Sequence, residues 1–235
     1  MINGMTSALV SGASRGIGRA ISLALAGRGL RLCLVGRSED ALRAVAEECR
    51  EHGADAEILS GDLTDRRFLD GVGKSAEERI GPVDILINNA GMAGRGSAQN
   101  LDLEHFRRLQ ELNLNVAVSL SQQVLTGMTS RKLGAIINIS SIQGRHTLAG
   151  GAAYVASKHA LNGFTGCLFE DVREAGIKVS TIMPGFVETD LTAGLELDAR
   201  KMIRASDVAE AVEYVLGTSA ACCPTEIVIR PQRAP

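Results

Sequence analysis

Short apolar runs alternate with longer amphipathic segments along the whole chain, and this alternation is the strongest constraint on its fold. Each run is rich in Val, Ile and Leu and nearly continuous in its apolarity, as in strands buried on both faces of a sheet. The runs lie at 7–11, 31–36, 56–62, 83–89, 135–140, 178–183 and 226–230. Strands that alternate with helices form right-handed βαβ units. The pattern predicts an α/β, doubly wound three-layer sandwich with a seven-stranded, mainly parallel sheet.

The size and charge of the chain limit the number of domains and the kinds of partner that we expect. A chain of 235 residues without a linker or repeat predicts a single domain spanning 1–235. The net charge of −2 provides no overall field that would favour nucleic acid or an acidic membrane. No apolar run reaches the roughly 18 residues that a membrane span requires. We therefore expect neither a nucleic-acid partner nor a membrane partner.

The N-terminal residues and the cysteines indicate a cytoplasmic protein. The first residues lack a basic segment followed by a long apolar one, which argues against a secretory signal. The five cysteines are odd in number and form no CxxC pair, as is typical of reduced thiols. The adjacent pair Cys222 and Cys223 is open to two interpretations, packed side chains or a reactive or metal-binding pair. We favour packing and expect no metal site.

A glycine-rich turn follows the first apolar run. Glycines at this position permit a tight turn and let backbone N–H groups approach a pyrophosphate at the start of a helix. The spacing is Gly-x3-Gly-x-Gly, and a purely structural turn is the alternative. No Gly-Lys-Ser/Thr follows, which excludes the phosphate loop of nucleotide triphosphatases. The predicted dinucleotide contacts in this turn are Gly12, Ser14, Arg15, Gly16, Ile17 and Gly18.

The end of the second run indicates which dinucleotide binds. NAD-binding folds usually place an acid there to hold the ribose 2′-hydroxyl. Here Arg37 and Ser38 take that place, and Asp40 falls in the first turn of the next helix. Together with Arg15, they offer two guanidinium groups and a hydroxyl for a 2′-phosphate. The prediction is NADP(H), and the alternative is that both arginines are solvated surface residues.

The stretch "YVASK" places Tyr154 and Lys158 one helical turn apart. Side chains at i and i+4 lie on the same face of a helix. A nearby ammonium stabilises phenolate, so this spacing predicts that Lys158 lowers the pKa of Tyr154. Chance placement on a solvated helix face is the alternative that the remaining motifs must exclude.

Taken together, the motifs resemble those of the short-chain dehydrogenase/reductase family, over nearly the whole chain. They are "SGASRGIG" at 11–18, "GDL" at 61–63, "NNAG" at 88–91, "LNLNV" at 112–116, Ser141, "YVASK" at 154–158 and "PGFVETD" at 184–190. Each motif is weak or moderate alone, whereas their order and spacing form a specific combination. The resemblance implies a Rossmann fold and an oxidoreductase.

The resemblance also implies four catalytic roles. Tyr154 is similar to the family's general acid and base, and Lys158 to the residue that tunes it and holds the nicotinamide ribose. Ser141 matches the residue that hydrogen-bonds the substrate oxygen, with neighbouring Ser140 as the rival. Asn113 matches the helix asparagine that joins the lysine to a water chain; Asn115, two positions on, is expected to point elsewhere.

Further cofactor contacts follow from the same resemblance. After the third run, Asp62 and Leu63 match the pair beside the adenine. Residues beside the ribose and residues of the loop that orients the carboxamide match Asn89, Ala90, Gly91, Pro184, Gly185, Val187 and Thr189. For Thr189, a helix cap or turn hydroxyl is the alternative.

Two segments depart from the family's pattern. Many members carry a "DGG" segment after the last strand, whereas this chain ends in "EIVIRPQRAP". The segment after Thr189 is short, which predicts an open substrate pocket. Its expected substrate residues are Ser141, Gln143 and Phe186, with Met92 and His146 as further candidates. The residues do not identify the substrate.

The leading functional hypothesis is an NADPH-dependent reductase acting on a small-molecule carbonyl, reversibly an alcohol dehydrogenase. One alternative is a catalytically idle dinucleotide-binding regulator, which would usually have lost one of the four catalytic residues. Another is a nucleotide-sugar epimerase or dehydratase, which normally has a larger C-terminal domain. The resemblance further implies a homodimer or homotetramer formed through the long helices at 102–131 and 152–173.

Overall fold

The structure is a computed structural model that describes residues 2–235. One seven-stranded sheet runs through it, and every pair of neighbouring strands is parallel. The strands are β1 Ser7–Ser11, β2 Arg31–Gly36, β3 Ala56–Ser60, β4 Ile85–Asn88, β5 Gly134–Ile139, β6 Ile177–Pro184 and β7 Glu226–Ile229. The predicted doubly wound α/β fold is confirmed.

The strand order is β3-β2-β1-β4-β5-β6-β7. The chain leaves β1 toward one edge of the sheet and returns from β3 to add β4 on the other side. In doubly wound folds, ligands bind beyond the carboxyl ends of the strands at this reversal of direction. The glycine-rich turn after β1 and the "NNAG" motif at 88–91, which starts at the end of β4, therefore meet at one place.

Within residues 2–235, eight α-helices cover the sheet. They are α1 Gly16–Ala26, α2 Glu39–Glu51, α3 Arg66–Leu69, α4 Val72–Ile80, α5 Leu103–Gln110, α6 Val116–Arg131, α7 Ala152–Val172 and α8 Ala205–Gly217. Two separate cores bury the faces of the sheet, one against α1, α2 and α8, the other against α4, α6 and α7. None of the helices in residues 2–235 is long and apolar enough to cross a membrane.

The structure corrects three expectations about these elements. The helix expected over 102–131 is interrupted by a π-helical turn, Glu111–Asn115, between α5 and α6. The strands at the two edges of the sheet, β3 and β7, are not buried on both faces, because each of them exposes alternate or scattered side chains. The strand expected over 56–62 ends at Ser60, so Asp62 lies in the turn that follows the strand.

Candidate active site

Three glycines shape the turn between β1 and α1. Gly12 and Gly16 have φ of +65° and +54°, a conformation that side chains with a Cβ rarely adopt. A Cβ on Gly18 would lie 2.1 Å from the Gly12 carbonyl oxygen, so the helix and the turn meet through bare backbone. Asn89 fixes the turn from β4, because its Nδ2 donates to the carbonyl oxygens of Ser11 and Gly12 at 3.1 and 3.0 Å. This cradle fits a pyrophosphate held by backbone N–H groups at a helix N-terminus.

A cavity of about 330 Å³ opens in front of this turn, at the carboxyl ends of the strands. It brings together most of the residues predicted to bind a cofactor. Those that line it are Gly12, Ser14, Arg15, Gly16, Ile17, Arg37, Asp62, Leu63, Asn89, Ala90, Gly91, Tyr154, Lys158 and Thr189. Of the other predicted site residues, none contributes to its wall; they are Gly18, Ser38, Asn113, Ser141, Gln143, Pro184, Gly185, Phe186 and Val187.

The arginines expected at a 2′-phosphate have different surroundings. Arg37 lines the cavity and makes no hydrogen bond or ion pair with any side chain of residues 2–235. Arg15 also lines it, but its guanidinium forms a 2.7 Å ion pair with Asp190, which sequence reasoning did not consider. Ser38 caps α2, where its Oγ accepts a hydrogen bond from the Ala41 N–H at 3.4 Å. The helix cap explains why the Ser38 hydroxyl lies outside the cavity wall.

One cation at this end of the cavity was missed by the sequence analysis. Arg108, in the last turn of α5, lines the cavity beside Asp62. Hydrogen bonds from Thr64 lower the pKa of Asp62 most, and the charges of Arg37 and Arg108 lower it further. No motif marks Arg108, and only the packing of α5 against α7 and the π-helical turn places it there.

Tyr154 and Lys158 lie on the same face of α7, as their spacing predicts. The Lys158 Nζ is 5.9 Å from the centre of the Tyr154 ring and donates a 2.9 Å hydrogen bond to the Ile139 carbonyl oxygen at the end of β5. The Lys158 side chain is buried, which lowers its pKa to about 8. The chance alternative is thereby excluded, because the two side chains meet at the wall of the cavity.

The expected direction of the Tyr154 pKa was wrong. Burial of the hydroxyl raises the pKa of Tyr154 above its ordinary value of 10.0, and the hydrogen bond with Ser141 lowers it only in part. Desolvation disfavours phenolate, and the ammonium of Lys158 is itself buried and bonded to a carbonyl. Tyr154 is therefore a neutral phenol at neutral pH, the form that donates a proton.

Ser141, not Ser140, is the serine whose hydrogen bond lowers the pKa of Tyr154. Ser141 follows β5 and begins a 3₁₀ turn, Ile142–Gly144, in which its Oγ accepts a hydrogen bond from the Gln143 N–H at 3.1 Å. The Oγ of Ser140 is buried and has no hydrogen-bond partner among residues 2–235. Ser140, not Ser141, lines the cavity, whereas Ser141 is the serine that lowers the pKa of Tyr154.

Asn113 lies in the π-helical turn and is buried. Its Nδ2 donates to the Met92 carbonyl oxygen at 2.9 Å and to Ser157 Oγ at 3.0 Å, and its Oδ1 accepts from the Met92 N–H at 2.8 Å. Its side chain therefore ties the loop after β4 to α7, next to Lys158. Asn115 points elsewhere, as expected, and donates to Glu111 at the surface.

The structure does not place the predicted substrate residues in the wall of the cavity. Gln143 and Phe186 are half-buried and His146 is exposed, and none of them lines the cavity. Its apolar wall instead includes Met92, Leu112 and Leu191. Within residues 2–235, no group of three or more His, Cys, Asp or Glu side chains is arranged to hold a metal ion.

Comparison with known proteins identifies the family. The family model described as short chain dehydrogenase matches residues 6–200. The chain is 35% identical over 224 residues to the 3-oxoacyl-(acyl-carrier-protein) reductase FabG of Escherichia coli, with 91% of each chain covered. Among solved structures, a variant of actinorhodin polyketide ketoreductase with NADPH shares 32% identity and a TM-score of 0.88, covering 97% of this chain and 96% of that one. A metagenomic short-chain oxidoreductase in complex with NADP shares 30% identity, with a TM-score of 0.85 and 97% of both chains covered.

The matched range begins just before β1 and ends within the segment between β6 and α8, so it contains every motif named above. The predicted resemblance, and with it the prediction of an oxidoreductase, is confirmed. The chain belongs to the short-chain dehydrogenase/reductase family.

Proposed function

We propose that this protein transfers a hydride between NADP(H) and a carbonyl or secondary alcohol, with Tyr154 as the general acid and base. The observation that carries the proposal is the meeting of Tyr154, Lys158 and Ser141 beside a cavity cradled by Gly12 and Gly16. A relative with 32% identity and another with 30% identity were solved with NADPH and NADP. A bound nicotinamide dinucleotide supplies or accepts the hydride.

The chain's own residues hold that cofactor at two ends. The turn around Gly12 and Gly16 offers backbone N–H groups to the pyrophosphate, and Arg37 offers a guanidinium to a 2′-phosphate. Arg15 joins Arg37 only when it leaves Asp190, an exposed ion pair of the kind that contributes about 0–1 kcal/mol. The preference for NADP(H) over NAD(H) therefore rests chiefly on Arg37.

Tyr154 moves the proton. Because burial raises its pKa, the phenol is protonated at neutral pH and donates its proton to the substrate oxygen during reduction. Ser141, hydrogen-bonded to Tyr154, orients that oxygen. Lys158 is cationic below its pKa of about 8 and stabilises the phenolate that remains. In oxidation, the same phenolate takes the proton from the alcohol.

For the substrate we propose a 3-oxoacyl thioester or a related ketone. The Escherichia coli relative is named as a 3-oxoacyl-(acyl-carrier-protein) reductase, and the structural relative is a polyketide ketoreductase. The apolar residues Met92, Leu112 and Leu191 suit a substrate with an aliphatic body. We further propose a cytoplasmic homodimer or homotetramer, assembled through α6 and α7, with neither nucleic acid nor membrane as partner.

The competing hypotheses predict different results in one experiment. The purified protein is mixed with NADPH and a panel of 3-oxoacyl thioesters, simple ketones and aldehydes, and the nicotinamide absorbance is followed. We expect loss of absorbance with at least one carbonyl and formation of the matching alcohol. Tight NADPH binding without turnover on any carbonyl would favour the idle regulator, and isomerisation of a nucleotide sugar without net cofactor consumption would favour the epimerase.

A further inference from the structure

The turn that carries Ser141 packs against α7, and a side-chain hydrogen bond from α7 holds it there. Within the turn, the Gly144 N–H donates to the Ser141 carbonyl oxygen at 2.8 Å, and the Gln143 N–H donates to Ser141 Oγ at 3.1 Å. From α7, Asn162 reaches the turn, because its Nδ2 donates to the Gly144 carbonyl oxygen at 3.0 Å. Asn162 lies eight residues after Tyr154 on the same helix. One helix therefore carries Tyr154 and also holds the turn that presents Ser141 to it.

The anchor is packed so tightly that it requires a glycine. A Cβ on Gly144 would lie 2.5 Å from Asn162 Nδ2 and 2.9 Å from Ser140 Oγ. Gly144 is buried and its φ is not positive, so the close approach of these polar groups, not the backbone conformation, demands the missing side chain.

The same point of contact contains two unsatisfied polar atoms. Asn162 Oδ1 and Ser140 Oγ are buried and have no hydrogen-bond partner among residues 2–235. Buried polar atoms without partners cost stability. An apolar side chain at position 162 would remove Asn162 Oδ1 but would also take the donor from the Gly144 carbonyl oxygen. What the Asn162 amide contributes at this contact is its hydrogen bond to the turn, through the Gly144 carbonyl oxygen.

We propose that Asn162 is a positioning residue for Ser141, whose turn it holds in hydrogen-bond contact with Tyr154. The inference rests on the roles proposed above for Ser141 and Tyr154. Ser141 favours the ionised phenol through its hydrogen bond, so a displaced turn leaves the phenol harder to ionise. Lys158 is the charged group that faces the Tyr154 ring, and its Nζ is held by the Ile139 carbonyl oxygen, a contact in which Asn162 takes no part.

The composition of the chain allows a test that needs no substrate. Tyr154 and Tyr214 are the only tyrosines, and Tyr214 is 62% exposed on α8. With ¹³Cζ-labelled tyrosine, the resonance that remains in the Tyr214→Phe protein belongs to Tyr154. We expect Asn162→Leu and the smaller Asn162→Ala to move this resonance at neutral pH in the direction that Ser141→Ala moves it. The matched control Asn115→Leu, which removes an exposed helical asparagine, leaves it in place.

Turnover provides the second readout. A misplacement of about 1 Å can cost up to about 10²-fold in rate, so kcat falls by about 10-fold or more in both Asn162 variants. Their Kd for NADPH stays near the wild-type value. Because alcohol oxidation needs the Tyr154 phenolate, its rate rises with pH in a step set by the Tyr154 pKa, and this pH step moves upward in both variants. Circular dichroism checks that each variant folds. If the leucine side chain does not fit at position 162, the alanine variant tests the inference.

Two results would overturn the inference without touching the proposed function. One is a Tyr154 resonance that stays at its wild-type position in both Asn162 variants while Ser141→Ala moves it. The other is an unchanged pH step with normal turnover. Conversely, a wild-type protein that reduces no carbonyl would contradict the proposed function, and the resonance would still report whether Asn162 positions Ser141.

Discussion

The ammonium group of Lys158 is buried away from solvent. One carbonyl oxygen, that of Ile139, accepts from it at 2.9 Å, and burial lowers its pKa from 10.5 to about 8. A lowered lysine pKa means that the folded state binds protons less readily than the unfolded state does. Lys158 therefore serves the reaction at the expense of stability, a combination common at active sites.

The stability of a Lys158→Met variant tests this conclusion. Between about pH 8 and pH 10.5, the unfolded state holds a proton on Lys158 that the folded state has lost. The penalty of burying the charge is thus fully present below about pH 8 and is relieved as the pH rises. We expect Lys158→Met to be more stable than the wild type at pH 7, with the difference shrinking through this window in urea unfolding. Lys74→Met, at an exposed position, should show no such pH dependence; a variant that is less stable at every pH would contradict the account.

Arg37 decides the cofactor preference at the residue scale. A charge-assisted hydrogen bond to a phosphate contributes about 1.5–3 kcal/mol, so Arg37→Asp should weaken NADPH binding by about tenfold or more. NADH binding should change little or improve, as measured by nicotinamide fluorescence. Arg43→Asp, at an exposed residue paired with Glu39, is the matched control. Equal losses for both cofactors would show that Arg37 serves the structure instead.

Residue identities were predicted better than residue environments. The spacing in "YVASK" predicts that Tyr154 and Lys158 share a face, because helical geometry alone decides it. It does not predict that the Tyr154 pKa is raised, because burial depends on neighbours far apart in the chain. The pairing of Arg15 with Asp190, 175 residues away, was invisible for the same reason.

At the scale of elements, the π-helical turn between α5 and α6 is the clearest feature that the sequence did not predict. One extra residue in a helical turn barely disturbs an apolar pattern of period 3.6, so the segment reads as one helix. The turn lets buried Asn113 reach Met92 on one side and Ser157 on the other. Such turns are frequent at functional sites.

The junction of β1 and α1 yields a prediction of its own. Gly18→Ala would place a Cβ 2.1 Å from the Gly12 carbonyl oxygen and 2.6 Å from Asn89 Nδ2. Overpacking of this kind typically costs about 1–3 kcal/mol, so we expect a lower melting temperature and weaker NADPH binding. Gly217→Ala, at the end of α8 with nothing within 4 Å, should be neutral or slightly stabilising. If the Gly18→Ala variant keeps the melting temperature and the NADPH affinity of the wild type, the junction has room for a Cβ and this account of its packing is wrong.

For the whole molecule, the alternation of runs and helices predicted the sheet, and the sheet places the site. Parallel strands aim their carboxyl ends at one edge, so the motifs after β1, β4 and β5 had to meet. The short segment after Thr189 left the substrate wall unpredicted, because no periodic pattern constrains it.

We propose that residues 1–235 form one cooperative unit, because both cores share the single sheet. Calorimetry should then show one unfolding transition. At saturating NADPH the transition should move upward as a whole, because a ligand that binds only the folded state stabilises it. Two transitions, of which NADPH moves only one, would contradict the single unit.

The measurement that tests the central claim most directly is the turnover of Tyr154→Phe with NADPH and a carbonyl that the wild type reduces. The change removes one oxygen and keeps the ring, so the fold and NADPH binding should persist. Proton transfer by a positioned side chain contributes about 10²–10⁴-fold, and kcat should fall by at least that lower factor. Near-normal turnover of Tyr154→Phe on that carbonyl would mean that another group donates the proton and that the mechanism is wrong.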